Sequence, residues 1–254
     1  MPTEARLDAS SLLGFLLVLA RVSVMFVFVP IPGSRAVPET ARVILILALT
    51  IALYPLWPRP EAAVSAGLLV LWIAVEAAFG LAAGLLVGFA SEIFVFAVQA
   101  VAVQAGFSYA SAIDPSSEAD SGVLQIIGQL TANLFFFLFG MHAVVLRALA
   151  RSLEVFPPGA AVQLPAAEVL AGAGAAMMQL GLRLSLPVAA LLMLADVTLA
   201  LIGRIQSQLQ LLSLAFPIKM LGALAVFAAL TPLMPVLYRL AMRHTTRALF
   251  ELVR

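Results

Sequence analysis

From Val64 to Val103 the chain runs forty residues with only two charges, Glu76 and Glu92. About 20 mainly apolar residues suffice to cross a bilayer, so this run is twice the needed length. A bent helix and a helical hairpin both fit it. Helices are expected here and throughout, because an open sheet would leave backbone groups unpaired in lipid.

Composition agrees. Of 254 residues, 63% are hydrophobic and 11% charged, and mean hydropathy is +1.12. Soluble domains average about 45–50% apolar and about 25% charged. The expected fold class is therefore all-α, a polytopic integral membrane protein with about six hydrophobic segments, forming one membrane-embedded domain over residues 1–254. The segments are residues 12–29, 43–57, 64–103, 123–145, 169–194 and 209–240. The second is short. Pro187 interrupts the fifth, and Pro217, Pro232 and Pro235 break up the sixth. No repeat of fixed period is visible. The N-terminus does not read as a cleaved leader, since Glu4 and Asp8 balance Arg6, and Arg21 interrupts the apolar run.

Orientation is ambiguous. The acidic loop at Asp114, Glu118 and Asp120 fits outside, and the Arg147/Arg151 loop and the C-terminal arginines fit inside. Arg35 and Arg42 then fall outside on a six-span count. That conflict suggests that some apolar segments do not cross a bilayer.

Several function classes are excluded or weakened. A net charge of +1 offers no electrostatic case for nucleic acid. Cysteine is absent, so there are no disulfides and no thiolate nucleophile or ligand. His142 and His244 are isolated and lack metal-ligand spacing. Asp114, Glu118 and Asp120 lack the spacing of a calcium loop. Gly106-Phe107-Ser108-Tyr109-Ala110 lacks the last glycine of a nucleophile elbow and has no strand before it. No catalytic, cofactor or metal site is expected.

The remaining signals concern packing and passage. Gly80, Gly84 and Gly88 recur every four residues, a small-residue face that lets backbones approach closely. Charges inside apolar segments cost roughly 2.5–3.5 kcal/mol on insertion scales, so Arg21, Glu76, Glu92, Arg183, Asp196, Arg204 and Lys219 need partners or a wet path. A proton relay and structural ion pairs both suit them, and the sequence does not say who pairs with whom. From Gly203 to Lys219, polar side chains interrupt apolar runs, and Lys219, the only lysine, follows Phe216-Pro217-Ile218. A kink or break is expected at Pro217. The segment at 106–120 combines Phe107, Tyr109 and Ile113 with a polar tail turned by Asp114-Pro115. Such a loop can connect two helices or fill a pore.

Together these landmarks resemble the FliR family of flagellar type III export-gate proteins, with the injectisome SctT family the next most similar. The resemblance runs through Arg21-Val22, Pro30, Pro32-Gly33, Pro38, Arg42, Glu76, Gly80, Gly84, Gly88-Phe89, Gln104-Ala105-Gly106 and Asp114-Pro115. It continues through Gly140-Met141-His142, Ser152, Pro157, Leu186-Pro187-Val188, Asp196, Arg204, Gln208-Leu209, Ser213 and Phe216-Pro217-Ile218-Lys219. Ser207 and Gln210 depart from the family's usual Pro-Gln-Leu-Asn, and Leu212 stands where an aromatic residue is common.

The resemblance implies a subunit without chemistry of its own. It implies assembly with FliP and FliQ homologues, FlhB wrapped around the gate, FlhA beneath it, and unfolded exported proteins as cargo. It implies kinked helical hairpins raised out of the bilayer plane in the inner membrane. It also implies a plug loop at Gly106, Phe107, Ser108, Tyr109, Ile113, Asp114 and Pro115. A small-molecule or ion transporter is the competing reading, weakened by the lack of an internal two-fold repeat.

Overall fold

The computed structural model describes residues 9–29, 38–58, 65–107, 123–159, 167–205 and 211–252. Eight α-helices occur among them. They are α1 (Ala9–Phe28), α2 (Glu39–Ala52), α3 (Ala66–Ala105), α4 (Val123–Leu138), α5 (Met141–Val155), α6 (Ala167–Ile205), α7 (Leu211–Leu230) and α8 (Met234–Leu252). Short 3-10 turns follow α2 at Tyr54–Leu56 and join α7 to α8 at Thr231–Leu233.

Among the described residues, four stretches are long and apolar enough to cross a membrane: α1, α3, α6 and the run Pro217–Leu252. Counting the bent pair α4 and α5 as one span gives five. Six segments were expected from hydropathy. The difference lies at α2, whose 14 residues reach about 21 Å at 1.5 Å per residue, short of a hydrocarbon core about 30 Å thick.

The long run opened by Val64 is one continuous helix of 40 residues rather than a hairpin. It is apolar on every side, the pattern of a helix enclosed by others. Gly106, at φ +87°, ends it. The Phe107 N–H donates to Ala102 O at 3.0 Å and the Gly106 N–H to Val103 O at 3.1 Å. This is a Schellman-type cap, in which glycine takes the left-handed position and the next residue closes back on the last turn.

Helix α7 runs through Pro217, and α6 runs through Pro187. Of the kink or break expected at Pro217, the break does not occur. Proline removes one N–H from the ladder, and helices of membrane proteins tolerate this by re-satisfying the freed carbonyl. The chain does break at Pro232, inside the 3-10 turn. Pro235 falls in the first turn of α8, where its missing N–H has no intrahelical partner to lose. The expected segment at 123–145 also divides, because Gly140 sits at φ +69° between α4 and α5.

By packing, the chain forms two compact units. The first comprises Met1–Phe89, Phe136–Gly174 and Arg243–Arg254. In it α1 packs on α2, and the Phe15 and Trp57 rings meet at 5.2 Å. The Trp57 indole N–H donates to Thr50 O at 2.9 Å. Helix α5 is amphipathic, turning Met141, Val145, Ala148, Leu149, Ser152 and Leu153 inward.

The second unit comprises Ala90–Phe135 and Ala175–Met242. Phe94, Phe135 and Tyr238 form an aromatic triangle there, with centroids 5.4–6.5 Å apart. A second cluster joins Val101 and Ala105 of α3 to Val188 and Leu192 of α6 and Ala223 of α7. Phe107 packs against it, and also against Val98, Ala102 and Leu124.

Candidate functional site

Arg21 is the centre of the first unit's polar network. It lies in the middle of α1 and is 2% exposed. Its Nε donates to Glu76 Oε2 at 2.6 Å. Nη1 donates to Ser152 Oγ at 3.0 Å, and Nη2 to the carbonyl of Phe156 at 3.0 Å. The Ser152 hydroxyl in turn donates to Leu149 O at 2.7 Å. Phe156 caps the end of α5, so its carbonyl is one of the acceptors a helix terminus leaves open. The guanidinium also lies over the Phe79 ring, 5.0 Å from its centroid. One side chain thus joins α1, α3 and the end of α5.

The glycine face lies along the same seam. A Cβ on Gly80 would collide with the backbone carbonyl of Arg21. One on Gly84 would sit 2.7 Å from Met25 O, and one on Gly88 3.5 Å from Phe28 O. The residue numbers rise together on both helices, so α1 and this part of α3 run in parallel. Gly80 and Gly84 allow backbone to approach backbone, whereas Gly88 has room for a methyl group.

The second unit holds a smaller polar group. Lys219 Nζ lies 2.8 Å from Asp196 Oδ1 and 3.0 Å from Oδ2. Gln104 Nε2 donates to Asp196 Oδ2 at 3.2 Å. The Lys219 side chain is 11% exposed and that of Asp196 43%. These residues come from α7, α6 and α3.

Among the described residues, Arg183, Arg204 and Glu92 are exposed and take part in none of the ion pairs. Of the plug-loop candidates, Gly106 and Phe107 are described at the exit of α3. Ser108, Tyr109, Ile113, Asp114 and Pro115 lie outside the described residues. Among the described residues no group of three or more His, Asp or Glu is placed to hold a metal ion.

The acids and bases stood out in the sequence, but three of their neighbours did not. Ser152 and Gln104 matched the resemblance without a role, and the Phe156 carbonyl carries no side-chain signal. A lone amide or hydroxyl on an otherwise apolar helix face is the available clue, since a buried polar group needs a partner.

Comparison with known proteins places these features in a family. The model described as "Bacterial export proteins, family 1" matches residues 12–245. The flagellar biosynthetic protein FliR of Escherichia coli (strain K12) is 30% identical over 217 residues, covering 85% of this chain and 83% of that protein. FliR of Bacillus subtilis (strain 168) is 28% identical over 81% of each chain. FliR of Caulobacter vibrioides is 26% identical over 84% of this chain and 86% of that one. The chain belongs to the FliR family of bacterial export proteins, and is a non-enzymatic component of the flagellar type III export gate in the bacterial inner membrane.

Proposed function

We propose that this chain acts as a single membrane-embedded subunit that joins FliP and FliQ homologues in the gate, with FlhB and FlhA homologues beside it. Unfolded flagellar proteins are the cargo, and residues 106–120 plug the passage at rest. The observation that carries the reading is the uncovered length of α6. Its Met178, Leu182, Leu186, Met193, Val197 and Leu201 are all exposed at near-helical spacing, and only 11% of its most apolar stretch is buried by its own chain. A helix of 39 residues is about 58 Å long, almost twice a hydrocarbon core. Lipid covers only part of such a face, and neighbouring helices are the natural cover for the rest. The Gly80/Gly84 seam and the Arg21 network support the same reading, since they hold the first unit firm while other faces stay open.

Co-expression tests it. The tagged chain, purified in mild detergent, is expected to aggregate alone and to elute as a monodisperse complex with FliP and FliQ homologues. A stable, folded monomer that ignores both would refute the assembly.

A further inference from the structure

The first unit carries two basic stripes, one on α5 and one on residues 243–252 of α8. Both helices are amphipathic, and their inward faces meet. Ala148, Leu149 and Ser152 of α5 and Leu249 and Leu252 of α8 line one small cavity beside Arg21. The outward faces hold the charge. Arg147 and Arg151 are exposed on α5, and Arg243 and Arg247 on α8. Each pair is four residues apart, so each forms a stripe along its helix. Arg151 bonds Glu154 at 3.0 Å, and Arg147 Nε donates to Ala143 O at 3.2 Å. Arg243 and Arg247 take part in none of the ion pairs among the described residues. Against these four arginines stand only Glu154 and Glu251. The two segments thus hold an excess of two positive charges, in a chain whose total is +1.

Their place in the chain sets their depth. No Asp, Glu, Lys or Arg occurs from 121 to 146, and none from 220 to 238. Each stripe begins where one of these apolar runs ends. Basic residues gather where a span leaves the hydrocarbon, mainly on the cytoplasmic side. Because α5 and the end of α8 close the same cavity, the two stripes share one membrane surface. Leu146 adjoins Arg147, and Phe250 lies one turn beyond Arg247, and both are exposed. Arginine mixed with exposed Leu and Phe suits the boundary between headgroups and acyl chains.

We propose that Arg147, Arg151, Arg243 and Arg247 form a binding surface for anionic phospholipid headgroups of the cytoplasmic leaflet. Phosphate oxygens accept from the guanidinium groups, while Leu146 and Phe250 enter the boundary beneath them. The lipid then braces α5 and α8, the two helices that cover the Arg21 centre. Anionic lipid therefore stabilises the first unit as well as holding it at the membrane.

The test uses the purified export gate in neutral detergent. It is titrated with phosphatidylglycerol and with phosphatidylcholine, and bound lipid is counted by native mass spectrometry. Wild type is compared with Arg147→Gln/Arg243→Gln/Arg247→Gln, with lysine at the same three positions, and with Arg183→Gln, which removes a charge from α6 instead. Wild type is expected to bind phosphatidylglycerol about tenfold more tightly than phosphatidylcholine. Added salt is expected to weaken that preference, and the glutamine variant to lose it. The lysine variant is expected to retain most of it, and Arg183→Gln all of it. Phosphatidylglycerol is also expected to raise the apparent melting temperature of wild type and not that of the glutamine variant.

A wild type without preference overturns the proposal, and so does full preference in the glutamine variant. A glutamine variant that sheds a neighbouring subunit yet still prefers phosphatidylglycerol assigns the arginines to an acidic protein surface, which overturns it as well. If the triple variant does not assemble, Arg147→Gln and Arg243→Gln are read singly, and unchanged preference in both has the same force.

Discussion

Arg21 Nε lies 2.6 Å from Glu76 Oε2, with both side chains 3% exposed. The pair is 55 residues apart in sequence and bonds α1 to α3 at the turn where Gly80 meets the Arg21 carbonyl. Charge, hydrogen bonding and close backbone approach therefore coincide at one point of the first unit.

Breaking that pair from one side leaves a buried charge alone. Arg21→Met or Glu76→Gln is expected to cost about 3–5 kcal/mol, while replacing both with Arg21→Met/Glu76→Leu is expected to cost much less. The apparent melting temperature of the purified gate reads the difference. Equal losses in the single and double variants would show that the remaining contacts of Arg21, to Ser152 and Phe156, carry the stability instead.

The glycines of α3 make a graded prediction. Gly84→Leu is expected to disrupt the α1–α3 seam and lower the yield of complex on native gels. Gly80→Ala is expected to do so even with a methyl group, because the clash is with backbone. Gly88→Ala, at an ordinary contact distance, is expected to be tolerated. A tolerated Gly80→Ala would mean that the two helices pack further apart than described.

Two other glycines predict opposite signs for one substitution. Neither Gly67 nor Gly140 has anything within 4 Å of an added Cβ, but Gly140 has φ +69°. Gly140→Ala is expected to cost roughly 1–2 kcal/mol through the left-handed backbone. Gly67→Ala, at a helical φ, is expected to stabilise by up to about 1 kcal/mol. Thermal unfolding of the two variants side by side decides it, and destabilisation by Gly67→Ala would contradict the open site.

Much of the fold was legible because hydropathy dictates helices at membrane depth. The run from Val64 was readable as helix, and the spacing of Gly80, Gly84 and Gly88 as a packing face. Two details were not legible from local rules alone. Pro217 allows a kink or a break, and α7 continues through it, because losing one ladder bond need not end a helix. Residues 43–57 stood out as a short apolar segment, and the 14-residue helix within them does not reach across a bilayer. The pairing of the charges was illegible for a different reason. Arg21 meets Ser152 across 131 positions, and Asp196 meets Gln104 across 92, distances at which no periodicity survives. Only the cost of burying a lone charge signalled that partners must exist.

Shortening the chain across Phe107, Tyr109 and Ile113 is expected to leave the gate assembled but leaky. Phe107 would lose its packing on both apolar clusters of the second unit, roughly 1.5–3 kcal/mol for a side chain of this size. Solute uptake by cells expressing the complete gate measures this. Wild-type uptake in a normally assembled deletion would make the segment a connector only.

This chain is expected to be an indispensable part of flagellar protein export, and deletion of its gene in the native host decides it. Export of hook and filament proteins into the medium is the quantity to measure. Export is expected to disappear and the cells to become non-motile at unchanged growth rate, with the wild-type chain restoring both. Normal secretion and normal flagella in the deletion strain would contradict it.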